Sequence, residues 1–199
     1  QSLSLSKTSF DCSNVGANTV TLTATDASAN SKTATATVTV MDTISPMVAT
    51  QNITVSLDAN GAASITAADV NNGSNDACGI QSMNVDVTTF DCTDLGANTV
   101  TLTVLDNNGN STTATATVTV EDNTAPIVAT QNITIYLDAN GAAAITTTDV
   151  DNGSSDNCSI QSMSLDVTAF DCSDLGSNVV TLTATDGSAN TSSATAIVT

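Results

Sequence analysis

Polar and apolar residues alternate along Thr19–Thr25, where Val20, Leu22 and Ala24 share one parity and threonines occupy the other. The runs Thr33–Val40, Thr99–Val104 and Thr113–Val120 alternate in the same way. Period two over such lengths, rich in Thr and Val, marks a strand with one buried face. Asp26-Ala-Ser-Ala-Asn30 and Asp106-Asn-Asn-Gly-Asn110 separate the paired runs, which therefore read as hairpins with Thr outside and Val, Leu or Ala inside. Further strands are expected over Gln51–Leu57, Ala62–Thr66 and Ile80–Val87, with Asp58-Ala-Asn-Gly61 as a turn. No stretch shows helical periodicity. About seven short strands between turn signals describe an all-β fold of immunoglobulin-like antiparallel β-sandwich modules.

Those modules recur in tandem. Phe10-Asp-Cys12 returns as Phe90-Asp-Cys92 and Phe170-Asp-Cys172, a period of 80 residues. Asp69-Val-Asn-Asn-Gly-Ser-Asn-Asp-Ala-Cys78 returns as Asp149-Val-Asp-Asn-Gly-Ser-Ser-Asp-Asn-Cys158 at the same spacing, as do Pro46 and Pro126, the only 2 prolines. Proline lacks a ladder donor and biases its predecessor toward extended geometry, which suits a boundary. The expected division is residues 1–42 as the second half of a module, 43–122 as a complete module and 123–199 as a nearly complete one. Gln1 falls in mid-module, so the sequence reads as an excerpt.

Composition narrows the chemistry. Hydrophobic residues make up 40 % of the chain but aromatics only 2 %, so several small cores of Val, Ile, Leu and Ala are expected. A formal charge of −18 removes the basic footprint that nucleic acid or an anionic membrane surface needs. No apolar run is long enough for a membrane helix. With no His and with Lys7 and Lys32 as the only cationic side chains, only carboxylates remain for acid-base work, without the usual triad partners, and the chain reads as non-enzymatic.

Cysteines stand at 12, 78, 92, 158 and 172, and 14 residues separate the members of each pair within a module. That spacing is expected to close as Cys78–Cys92 and Cys158–Cys172, leaving Cys12 to a partner upstream. It does not match a zinc site, and disulfides place the chain in an oxidising, extracellular setting.

Calcium takes six to eight oxygens from carboxylates, amides and backbone. Asp69, Asn71 and Asp76, with their copies Asp149, Asp151 and Asp156, supply such oxygens in a Gly-containing loop, although an Asx-rich turn bonding its own backbone uses the same residues. A second candidate set lies at the module joints, where Asp42, and Glu121 with Asp122, precede the prolines, and the hairpin turns carry Asp26, Asp106 and Asp186. This loosely resembles cadherin, where calcium between modules stiffens a rod; a solvated acidic linker is the plainer reading. Threonine ladders on a twisted sandwich face make a poor ice template. Asp42-Thr-Ile44 resembles a short motif at which Bacteroidetes attach O-glycans, which makes Thr43 a candidate acceptor.

The combination of Thr-Gln-Asn-Ile-Thr, Leu-Asp-Ala-Asn-Gly, the acidic loop ending in Cys, Phe-Asp-Cys and Leu-Gly-Ala-Asn-Thr-Val-Thr-Leu resembles the hyalin-repeat-like modules of very large Bacteroidetes surface proteins. Such modules occur in gliding adhesins and related filaments exported by the type IX route. The resemblance implies a structural and adhesive repeat region on the cell surface, serving attachment or gliding motility, with neighbouring copies of itself as partners. The alternative is a module that uses calcium to bind a glycan or surface.

Overall fold

A computed structural model describes all residues, Gln1–Thr199. The fold is all-β, with two four-residue helical turns. By contacts the chain divides into two compact units: Gln1–Gln51 with Thr66–Asp86 and Val100–Ala116, and Asn52–Ile65 with Val87–Thr99 and Thr117–Thr199. The 80-residue repeat and these units divide the chain differently, because each unit contains one junction between consecutive repeats.

In the first unit, β1 (Ser2–Leu5), β2 (Gly16–Thr25) and β3 (Ser31–Val40) form an antiparallel sheet in the order β1-β2-β3. Val20 is its buried residue, whereas Leu3, Leu5 and Leu22 keep much of their surface exposed. The middle repeat contributes β4 (Ile53–Ser56), β6 (Ile80–Val85), β8 (Gly96–Asp106) and β9 (Ser111–Glu121) to a sheet of order β4-β9-β8-β6. Its parity is strict. Val100, Leu102 and Val104 are fully or almost fully buried, and Asp106 follows on the same side. An edge strand departs from the expected antiparallel plan: β4 runs parallel to β9, with Ile53 opposite Val118.

In the second unit, short β5 (Ala62–Ser64) pairs with β7 (Thr89–Asp91), and β10 (Ala142–Ala144) pairs with β12 (Ala169–Asp171). The last repeat adds β11 (Ile160–Leu165), β13 (Asn178–Asp186) and β14 (Thr191–Val198), in the order β11-β13-β14. Its core gathers Ile145, Val150, Phe170, Val180, Leu182, Ala196 and Val198, with no Trp and one aromatic ring. A fully buried Leu, Val, Ile or Phe side chain stabilises by roughly 1.5–3 kcal/mol, and six of these seven residues are of those types.

Two features escape the period-two reading. The helical turns α1 (Ala67–Val70) and α2 (Thr147–Val150) are too short to show a helical period, and each is closed by a reciprocal cap between Thr66 and Asp69 or Thr146 and Asp149. Phe90 is buried as its parity requires, but Cys92 opens a 3-10 turn, Cys92–Asp94, that breaks the alternation after it.

Candidate functional site

Each junction is fastened by a disulfide that joins one repeat to the next. Cys12 bonds Cys78, and Cys92 bonds Cys158, each with a sequence separation of 66 residues and Cα atoms 5.1 and 5.4 Å apart. The expected pairs Cys78–Cys92 and Cys158–Cys172 do not form. Cys78 and Cys92 belong to different compact units, with the strand β6 between them in the chain, and each is bonded to a partner within its own unit. Cys12 therefore finds its partner downstream, and Cys172 is the free thiol, exposed at the position equivalent to Cys12 and Cys92.

The sequence positions these sulfurs through carboxylates. Asp91 caps the 3-10 turn at Cys92, accepting from Thr93 Oγ1 at 2.6 Å and Thr93 N at 2.8 Å. The Thr93 hydroxyl, then its backbone N–H, hold the Asp91 carboxyl below the usual carboxylate range. On the opposite side of each bond, Asp76 Oδ2 accepts from Cys78 N at 2.7 Å, and Asp156 Oδ2 accepts from Cys158 N at 2.9 Å.

Those same two aspartates belong to acidic triads. Asp42, Asp76 and Asp106 bring carboxylate oxygens within 4.8 Å of one another in the first unit, and Asp122, Asp156 and Asp186 do so in the second. Strand parity explains the third member. Asp106 and Asp186 end β8 and β13 on the core side and are fully buried. Burial pushes the Asp106 carboxyl up, but the Asn110 side chain and the N–H groups of Asn110, Asn108 and Gly109 outweigh it and leave the group below its ordinary value. Asn110 Nδ2 donates both to Asp106 Oδ2 at 2.7 Å and to the linker carbonyl of Asp42 at 3.2 Å. Asn190 does the same between Asp186 Oδ2 at 2.8 Å and Asp122 O at 3.0 Å.

The triads draw one member from each of three places: the linker, the acidic loop and the hairpin turn. Of the expected loop ligands, Asp76 and Asp156 take part. Asp69 and Asp149 are spent as exposed caps, accepting from Thr66 N at 2.6 Å and Thr146 N at 2.7 Å. Asn71 and Asp151 close turns by accepting from Ser74 N and Ser154 N, both at 3.0 Å. Of the linker candidates, Asp42 and Asp122 take part, while Glu121 is exposed at the end of β9 and accepts from Asn123 at 3.4 Å. Asp26 keeps the same turn bonds as its copies but lies outside both triads. Thr43 is exposed in the linker.

The oxygens of the second triad are incompletely bonded. Asp122 Oδ1 accepts from Thr124 N at 3.1 Å and Asn157 Nδ2 at 3.2 Å, whereas Oδ2 is buried without a partner. Asp156 Oδ1 and Asn157 Oδ1 are also buried and unpartnered. In the first triad only Asp42 Oδ2 is left so. Sequence reading missed Asn110, Asn157 and Asn190; the recurring Asp-x-x-x-Asn of the hairpin turns was the available signal for two of them.

No family model matches the chain, and no curated protein does. Among solved structures it is similar to extracellular cadherin domains 1–5 of protocadherin gamma B2, at 14 % identity and a TM-score of 0.41, covering 94 % of this chain and 46 % of that one. It is also similar to the protocadherin gammaB7 EC3-6 cis-dimer structure, at 18 % identity and a TM-score of 0.36, covering 99 % and 68 %. An endo-fucoidan hydrolase from glycoside hydrolase family 107 matches at 14 % identity and a TM-score of 0.30, covering 99 % and 38 %. The chain spans about half the length of the first protocadherin chains it matches, 46 % and 58 %.

Proposed function

We propose that this chain is a structural and adhesive repeat region of an extracellular surface filament or giant adhesin, non-catalytic, serving attachment or gliding motility and partnered by further copies of its own repeat. The observation that carries this reading is the placement of the disulfides across junctions, Cys12–Cys78 and Cys92–Cys158. Disulfides persist outside the reducing cytosol, which suits a cell-surface location. The sequence cassette that resembles hyalin-repeat-like surface modules agrees with it, and the acidic triads give the junctions a capacity for cations such as calcium.

The mechanism is mechanical. When the two ends are pulled, tension crosses from Cys12 to Cys78 and from Cys92 to Cys158 through sulfur, so residues 13–77 and 93–157 lie outside the load-bearing path. What must bear load in between is Cys78 to Cys92, which includes β6 and β7. Chain-entropy closure of a loop this long also stabilises each junction by about 4 kcal/mol.

Single-molecule stretching of the chain tests this. Reduction is expected to lengthen the unfolded chain by roughly 230 Å per bond, from a 66-residue separation at about 3.5 Å per residue. Equal lengths with and without reductant would remove the load-bearing role.

A further inference from the structure

We propose that Asp122, Asp156 and Asp186 hold a calcium ion at the second junction. The inference rests on the geometry of the cluster and not on the adhesive reading. Three carboxylates that approach within 4.8 Å repel one another unless a proton or a cation lies among them. Two of the three residues sit in the interior: Asp186 is fully buried and Asp122 is 5 % exposed. Water therefore has little access to share the charge.

The unpartnered oxygens point to the occupant. Asp122 Oδ2, Asp156 Oδ1 and Asn157 Oδ1 are each shielded from solvent without a donor, although the other oxygen of Asp122 and of Asp156 has donors. A buried acceptor left unbonded is costly, so these oxygens call for a group that accepts lone pairs, and among three carboxylates a cation does so while also offsetting their mutual repulsion. An all-oxygen set, in a chain with no His and with the nearby Cys158 locked in a disulfide, selects a hard cation. Calcium accommodates the mixed carboxylate, amide and backbone donors of an irregular loop better than magnesium, which demands a near-ideal octahedron. Held there, the ion ties the linker after β9, the loop before β11 and the β13–β14 turn to the backbone that carries Cys158.

The test uses the oxidised 199-residue chain, stripped with a chelator and then given CaCl2, read by native mass spectrometry and by thermal melting. We expect bound calcium, and a midpoint raised by about 5 °C or more at a hundredfold excess over Kd. Asp122→Asn, which keeps the shape of the side chain, is expected to bind one ion fewer while retaining the far-ultraviolet dichroism of the parent. Absence of bound calcium in the unaltered chain at millimolar CaCl2 overturns the proposal, as does a folded Asp122→Asn variant that binds as many ions as the parent. Should Asp122→Asn not fold, Asp156→Asn takes its place with the same two outcomes. Neither result bears on the stretching experiment, which reads sulfur alone.

Discussion

The two junctions are built from the same parts, yet the second is the more deeply knitted. Where the first has Ala77 beside its cystine, the second has Asn157, whose Nδ2 donates to Asp122 Oδ1 and to Asp58 O, each at 3.2 Å. The linker carboxylate follows suit: Asp122 is buried where Asp42 is only half-buried. One amide in place of a methyl thus gives the second linker carboxylate a side-chain donor that the first lacks. Repeats with one sequence cassette need not make equal joints, because the contact is decided by residues outside the strands.

Removing sulfur gives the largest expected change. Cys92→Ser should cost about 4 kcal/mol in a denaturant titration and Cys12→Ser a similar amount, whereas Cys172→Ser should leave the midpoint unchanged. If Cys172→Ser destabilises as much as Cys92→Ser, the junction pairing is wrong.

A smaller effect separates a closed junction from an open end. Gly61 has φ +73°, and a Cβ there would stand 2.7 Å from both Asn157 O and Cys92 Sγ. Gly141 occupies the equivalent turn at φ +77°, but its Cβ would meet only Cys172 Sγ, at 3.0 Å. Both alanine variants bear the left-handed backbone penalty of about 1 kcal/mol, and Gly61→Ala adds about 1–3 kcal/mol of overpacking. Equal midpoints for Gly61→Ala and Gly141→Ala would mean that the Gly61 turn and the Asn157 loop do not approach each other there.

The smallest test exchanges one turn for the other. Ala189 holds φ +68° in the hairpin of the second junction, where the first has Gly109 at +93°. Ala189→Gly should relieve that strain and stabilise by about 0.5–1 kcal/mol, measured by the thermal midpoint. A loss of stability would show that the Ala189 methyl contributes more than its backbone costs.

The strands were legible because alternation is local: Val100, Leu102 and Val104 need only their own neighbours to declare a face. The same parity carried through to Asp106 and Asp186, so their burial was implicit in the hairpin runs. The sulfur pairing was not legible by counting fourteen residues, because Cys78 and Cys92 fall in different compact units and each finds its partner 66 residues along the chain. The triads were half legible. Asp76, Asp156, Asp42 and Asp122 stood among the expected ligands, but in two separate sets, and only the tertiary path brings linker, loop and turn together. Asp69 and Asp149 were misplaced because a four-residue helix leaves no periodic trace, and the cap it requires consumes the carboxylate that an ion would otherwise find.

Because every cystine belongs to a boundary and none to a single repeat, a gene encoding this array can gain or lose whole copies without stranding a sulfur in its interior. A deletion that removes one cysteine of a pair orphans the other at once. The pairing scheme thereby acts as a proofreading rule on length variation: it tolerates recombination in whole units and exposes as a reactive thiol any change that splits a pair.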